Sequence, residues 1–344
     1  MEILNEILQF LHFNPDSTRA KIEEKLNLRI STSTIKRILS EAIAKDLIIA
    51  NGKSRATSYR ISPQAKILLN IDLDSYFLKE IDERNIQTSF NFDLITKEIT
   101  SIKLFNEEEF TILSNLQQTF THNIESISID NYNSEMERLG IDLSWKSAQI
   151  EGNTYSLLET ERLLKEKEEA KGKTKDEAIM LLNHKDALHF ILKEPDYLKS
   201  LSVRHIEDIH SLLIKDLNIE RNIRSRRVGI TGTNYRPLEN EFQIKEALQD
   251  TCDLINSKNN IFEKALLALV LISYIQPFSD GNKRTARIIS NAILLANKHC
   301  PISFRTVDSI DYKKAMLLFY EQNNISAFKK IFIDQYKFAV NTYF

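Results

Sequence analysis

An apolar helical run from Ala265 to Tyr274 is broken by Pro277, Gly281 and Asn282, and a basic helical run follows at once. That interruption constrains the fold more than any other feature of the chain. It forces a tight polar loop at the N-terminus of a helix, where backbone N–H groups without intrahelical acceptors and the helix dipole favour an anion. Arg284 and Arg287 are three apart and project from one helix face, and guanidinium forks suit phosphate oxygens. Asp280, just before the glycine, is placed to hold Mg2+ between phosphates. One reading of the loop is therefore a nucleotide triphosphate cradle. On the same residues the other reading is an ordinary Gly-Asn turn ahead of a basic helix.

Composition narrows the setting. Seven glycines and six prolines in 344 residues, with 42% hydrophobic content, predict a mainly α-helical protein with a full core. The length suffices for two domains. A formal net charge of −2 gives no dominant field toward nucleic acid or membrane. Cys252 and Cys300 allow no disulfide framework and show no metal-ligand spacing. The first residues are acidic and amphipathic, unlike a signal peptide, and no apolar run reaches membrane-spanning length. The expectation is a cytoplasmic protein.

The stretch Gln276-Pro277-Phe278-Ser279-Asp280-Gly281-Asn282-Lys283-Arg284, with Arg287, resembles the signature loop of the Fic family, written H-P-F-x-D/E-G-N-G/K-R-x-x-R. Every position fits except the first, where the family has histidine and this chain has Gln276. The resemblance implies a transferase that moves AMP from ATP onto a hydroxyl side chain of a target protein. Asp280 would bind Mg2+. Gly281, Asn282 and Lys283 would line the anion hole, and Arg284 and Arg287 would hold the outer phosphates. Such chemistry is mostly positioning and charge stabilisation. The family histidine takes the proton from the attacking hydroxyl, a role worth roughly 10²–10⁴-fold in rate. Gln276 has no comparable basicity, so nucleotide binding is expected to survive while transfer is impaired. Lys283 matches the Doc-like branch, which implies γ-phosphate transfer as an alternative. His184, His205 and His210 are expected to be packed or surface residues without a catalytic role.

Upstream, Ser147 and Glu151 lie four apart, one above the other on a helix that ends at Gly152. Alone this is an amphipathic helix terminus. Beside the family it is similar to the inhibitory motif S/T-x-x-x-E-G/N, in which Glu151 would pair with Arg287 and fill the γ-phosphate space. Between the motifs, Val228 and Ile230 alternate with small residues and Gly232-Thr-Asn signals a turn. This reads as a short β-hairpin, and the resemblance makes it a flap on which Val228, Gly229, Ile230 and Thr231 dock the target's backbone by strand addition. Arg224, Arg226 and Arg227 are expected to be scaffolding.

Residues 1–66 form a separate unit on this reading, with eleven Lys and Arg against seven Asp and Glu. Ile3–Leu11, a helix capped by Ser17 and a helix capped by Ser31 or Ser33 precede two strands, Leu47–Ala50 and Ala56–Ile61. The order resembles a winged helix-turn-helix. Ser33, Thr34, Lys36 and Arg37 would lie on the recognition helix, with Lys53 and Arg55 on the wing, as suits groove and phosphate contacts. Residues 67–132 read as a connecting, partly helical region, with a strand over Ile67–Asp72 and a helix over Glu107–Thr121. Residues 133–344 read as the Fic domain. The implied cofactors are ATP and Mg2+. The implied partners are a target protein, the chain itself as target, DNA through residues 1–66, and a second copy in a homodimer. The reading from a different class is a DNA-binding regulator whose Fic core only senses nucleotide.

Overall fold

The structure, a computed structural model, describes residues 2–26, 30–52 and 54–344. It is mainly α-helical. The N-terminal module runs α1 (Glu2–Phe13), β1 (Ser17–Thr18), α2 (Arg19–Leu26), α3 (Thr32–Ala44), β2 (Ile48–Asn51) and β3 (Ser58–Ile61). The strands form an antiparallel sheet in the order β1-β3-β2, with Ile48 opposite Ile61 and Ser17 opposite Tyr59. Ile7, Leu11, Ile22, Ile35, Leu39 and Ile48 close its core. On α1 and α3 the pairs Ile7/Leu11 and Ile35/Leu39 are each four apart, the spacing that makes one apolar face.

Caps account for most boundaries. Ser31 starts α3 by accepting the Thr34 N–H at 3.2 Å. Ser17 does not cap α2. It pairs with Tyr59 in β1, and the Lys21 N–H reaches Thr18 Oγ1 instead, at 3.4 Å. The strand expected at Ile67–Asp72 is also absent. Ser62 caps a short helix, α4 (Pro63–Leu68), with proline at its first position, a strong start signal that overrides the apolar run behind it. Asp72 then caps α5 (Leu73–Phe77).

The core is built from α6 (Glu107–Ser126), α7 (Ile129–Ile150), α8 (Leu157–Glu166), α9 (Lys175–Lys193), α10 (Val203–Leu213), α11 (Glu241–Ser257), α12 (Ile261–Ile275), α13 (Asn282–Ala296), α14 (Ser309–Gln322) and α15 (Ser326–Tyr343). Every residue of α12 from Ala265 to Ile275 is buried, which explains its all-round apolar sequence. It packs against α13, α11 and α14. Among the described residues no helix is long and apolar enough to cross a membrane. Cys252 and Cys300 are buried and unpaired.

The predicted β-hairpin does not form. Residues 224–240 contain no strand, and the local β-pairing is one parallel bridge between Ser89 and Arg236. Two alternating apolar residues separated by Gly229 are too few to support a strand pair. Tyr235 is drawn into the core, and the Arg236 N–H donates to Thr88 O at 3.0 Å.

Candidate active site

The loop after α12 is shaped by its own side chains. Gln276 adopts a left-handed backbone (φ 51°), which ends the helix, and Gly281 does so again (φ 81°) just before α13. Asn282 clamps the turn between them: its Oδ1 accepts the Phe278 N–H at 2.8 Å, and its Nδ2 donates to Phe278 O at 2.9 Å. The clamp satisfies buried backbone groups that no helix bond can reach. Phe278 lies flat against His210, with ring centroids 3.6 Å apart. His210 Nε2 sits 3.0 Å from Asp280 O. Burial is the main reason that His210 titrates low, at about 4, and it is therefore neutral at pH 7.

Arg224 holds the loop from outside. Its N–H donates to Pro277 O at 3.0 Å, its Nε to Gln276 O at 2.6 Å and its Nη1 to Arg226 O at 2.8 Å. The sequence reading of Arg224 as scaffolding is met here, without a hairpin. The exposed Asp280 accepts the Gly281 N–H on Oδ1 and faces Arg284 Nη2 on Oδ2 at 3.2 Å.

Helix α13 begins without a side-chain cap, which leaves its first N–H groups for another acceptor. Beside it lie two buried cations, with side chains 1% (Arg284) and 0% (Arg287) exposed. Among the described residues, Nε and Nη1 of Arg284 and Nη1 of Arg287 have no hydrogen-bond partner. Removal from water pushes the Arg284 guanidinium below its ordinary basicity, against the pull of Asp280 and Glu151. Buried charged donors without acceptors are costly in isolation, so their grouping marks a place suited to an anion.

Glu151 already occupies part of that place. It caps the end of α7, ahead of Gly152 (φ 101°). Its Oε1 accepts from Arg287 Nη2 at 2.9 Å and its Oε2 from Lys283 Nζ at 3.2 Å. Burial alone would raise its pKa, but Arg287 and Lys283, with Arg284, hold it down at about 2. Ser147, one turn earlier, accepts Arg287 Nε on its hydroxyl at 2.8 Å and Arg287 Nη2 on its carbonyl at 2.9 Å. His184 Nε2 lies 2.7 Å from the same hydroxyl. Burial holds His184 well below the usual histidine range, reinforced by Arg287.

Gln276 is buried and tied inward. Its Nε2 donates to Ser273 O at 2.7 Å and to Tyr320 OH at 3.1 Å, and its Oε1 accepts from Asn282 Nδ2 at 3.0 Å.

The fold therefore gathers Ser147, Glu151, Gln276, Asp280, Gly281, Asn282, Lys283, Arg284 and Arg287 around one loop. Val228 and Ile230 are half-buried, and Gly229 and Thr231 are exposed on the irregular segment beside it. Ser33, Thr34, Lys36 and Arg37 stand apart on α3, where Arg37 pairs with Glu41 at 2.8 Å. Lys53 lies outside the described residues, and so does the side chain of Arg55. Sequence reasoning did not place His184, His210 or Tyr320 beside the loop; they meet it only through tertiary packing, the two histidines buried as packed residues. The one available signal was that His210 lies on a strongly amphipathic helix.

A family model described as Fic/DOC family matches residues 200–294. Among curated relatives, the protein adenylyltransferase fic-1 of Caenorhabditis elegans is 27% identical over 167 residues, which cover 46% of this chain and 32% of that protein. The protein adenylyltransferase Fic of Nematostella vectensis is 28% identical over 173 residues, covering 49% and 40%. The chain thus spans about a third of the length of the first of these relatives. Among solved structures, Fic-1 of C. elegans aligns with a TM-score of 0.59 at 19% identity, over 69% of this chain and 71% of that one. A Fic domain containing signaling protein from Bacteroides thetaiotaomicron aligns at 0.58 and 19% identity, over 67% and 94%. Similarity at that level concerns the fold. Residues 200–294 thus resemble a Fic/DOC family domain, and the helical core around them has a Fic-type fold.

Proposed function

We propose that this chain is an autoinhibited protein AMP-transferase whose proton acceptor has been replaced by Gln276. The observation that carries the reading is the set of unpartnered guanidinium N–H groups on Arg284 and Arg287 beside the uncapped N-terminus of α13. The triphosphate of ATP is the anion that meets them, with Lys283, Gly281 and Asn282 completing the hole. The named activity of the relatives supports AMP as the transferred group.

Asp280 suits Mg2+ as a lone carboxylate. Among the described residues no cluster of three or more His, Cys, Asp or Glu side chains could hold a metal. Mg2+ bound by one carboxylate and substrate phosphates does not need such a cluster. When bound, the ion would neutralise phosphate charge. Asp280 would exchange its contact with Arg284 for that role.

In the transfer, the target hydroxyl oxygen forms a bond to the α-phosphorus while the bond to pyrophosphate breaks, and the hydroxyl proton needs an acceptor. Gln276 cannot supply one: its amide is neutral, and both ends are committed to Ser273, Tyr320 and Asn282. Glu151 is the brake, since a carboxylate on Arg287 and Lys283 competes with the outer phosphate for the same donors. Val228, Gly229, Ile230 and Thr231 dock the target's backbone. They do so as a partly exposed loop edge that becomes a strand only when a partner strand arrives. A homodimer and self-modification belong to the same proposal.

We assign residues 1–66 to a winged helix, 67–132 to a connecting region and 133–344 to the Fic domain. The helix order and the three-stranded sheet support the first of these. DNA binding is the second reading, favoured by the exposed Lys36 on α3.

The test is a Gln276→His/Glu151→Gly variant of the full chain incubated with labelled ATP. Protein labelled from α-labelled ATP is the expected result. No label on any protein, with Mg-ATP still bound, overturns the transferase reading. Label arriving only from γ-labelled ATP establishes the Doc-like chemistry instead. Sequence-specific DNA capture by the full chain, lost on Lys36→Ala/Arg37→Ala, would establish the regulator reading.

A further inference from the structure

The segment joining the N-terminal module to the core reaches back to the 224–240 loop at several points. Arg84 Nη1 lies 3.0 and 3.2 Å from the two carboxylate oxygens of Glu321 on α14, and both side chains are buried. Nη2 of the same guanidinium donates to Gly232 O at 2.9 Å. Asn234 Nδ2 donates to Asp82 Oδ1 at 3.1 Å, and the Arg236 N–H donates to Thr88 O at 3.0 Å. Gly232 has φ 91°, and a Cβ there would meet Leu317 at 3.3 Å. Glycine thus lets the loop turn close over α14 and present its carbonyl to Arg84.

On the other limb Ile230 packs against the core and Arg227 pairs with Glu239 at 2.6 Å, while Gly229 and Thr231 are exposed. The loop also touches the site. Tyr235 OH donates to Tyr274 O at 3.3 Å, and its ring lies parallel to Tyr320, whose hydroxyl contacts Gln276.

A buried Arg–Glu pair contributes little stability that an apolar pair of similar volume would not. The fork of the guanidinium adds something an apolar side chain or a lysine cannot: one donor for Glu321 and another, in fixed geometry, for a loop carbonyl. We infer that Arg84 is a positioning residue for target recognition, fixing the 231–236 limb so that the 228–231 edge is held at one height beside Gln276. As a statement about targets this rests on the proposed transferase function. As a statement about the loop it does not.

The experiment uses the full chain and hydrogen exchange read by mass spectrometry on peptides covering 226–238 and 276–290. Two variants are compared: Arg84→Lys, which keeps a cation for Glu321, and Arg84→Met/Glu321→Leu, which removes both buried charges. We expect the Tyr235 and Arg236 amides to exchange about 10–100-fold faster in both, the factor that corresponds to losing a hydrogen bond from a charged donor. The 276–290 peptide and the Kd for Mg-ATP stay unchanged. In the Gln276→His/Glu151→Gly background, either Arg84 change then raises KM for a protein acceptor and leaves kcat. Loop exchange that is unaltered in both variants overturns the inference. So does exchange that rises equally in both peptides in step with lowered Tm, the signature of a purely structural role. Absence of any labelling in that background counts against the transferase reading and leaves the loop result standing.

Discussion

The loop at 276–282 and the loop at 224–240 lie side by side, joined by Arg224, and they differ in how much of their support is local. The first is closed by near neighbours: Asn282 bonds both backbone groups of Phe278, and Asp280 bonds the N–H of Gly281. The second is held by residues far along the chain, namely Arg84, Thr88 and Asp82. A loop closed largely by near neighbours needs, beyond the helices on either side, only the Arg224 brace. One closed by distant residues keeps its shape only while those residues are in place. The first arrangement suits an anion hole, which works when it is preorganised. The second suits a surface meant to receive an extended partner.

The largest expected effect tests the junction between the two. Arg224→Met removes the donor to Gln276 O and Arg226 O and should destabilise the chain by about 2–4 kcal/mol, since each orphaned acceptor costs roughly 1–3 kcal/mol. The shift in urea midpoint would show it. A change under about 0.5 kcal/mol would mean that the first loop stands without outside support.

Acid comes next. His210 is held at about 4, His12 in the N-terminal module also at about 4, and His184 well below the usual histidine range, burial being the first cause in each case. All three are depressed bases, so the unfolded state takes up protons first. Stability is full above about pH 6.5 and falls as pH drops toward 4, by up to about 1.4 kcal/mol per pH unit for each histidine. Thermal unfolding between pH 8 and 4.5 measures it. The Glu151 contact behaves differently. A carboxyl held at about 2 stays ionised throughout that window, so its pairing with Arg287 and Lys283 is lost only as pH falls through about 2. Nucleotide affinity of the intact chain between pH 5 and 8 should therefore show no step from Glu151. A step that disappears in Glu151→Gln would contradict this.

A pair of glycines gives the smallest effects and the most direct contrast. Gly281→Ala forces a side chain into the left-handed region (φ 81°), against His210 and Ile214, and should cost about 1–2 kcal/mol. Gly229→Ala meets no atom within 4 Å and should stay within about 0.5 kcal/mol. Comparable losses in both would mean that the second loop is as closely fitted as the first.

Much of the first loop was legible in the sequence because its signals are local. Pro277, Gly281 and Asn282 mark the break, and the spacing of Arg284 and Arg287 puts two cations on one face. Glu151 at the end of its helix was legible as a position, and the resemblance supplied its partner. The second loop was misread because Val228 and Ile230 alternate as a strand does, whereas strand formation depends on what lies opposite. In this chain the one local bridge takes Arg236, not Val228 or Ile230, and pairs it with Ser89, more than 130 residues away. Ser17 was misread for the same kind of reason, since it pairs with Tyr59, whereas Ile67–Asp72 was overruled by the Ser62-Pro63 start signal beside it.

By itself, the sequence determined a helical protein with one buried apolar helix and an anion-suited turn at its end, while the resemblance alone marked Gln276 as standing where a base is expected. The helix and the turn follow from side-chain type and near-neighbour spacing. Only the tertiary structure decided that Lys283 joins Arg287 on Glu151, that His210 lies against Phe278, that Gln276 is bonded inward, and that Arg84 grips the neighbouring loop. Each of these joins residues whose encounter depends on how whole helices pack, and no local pattern along the chain encodes that.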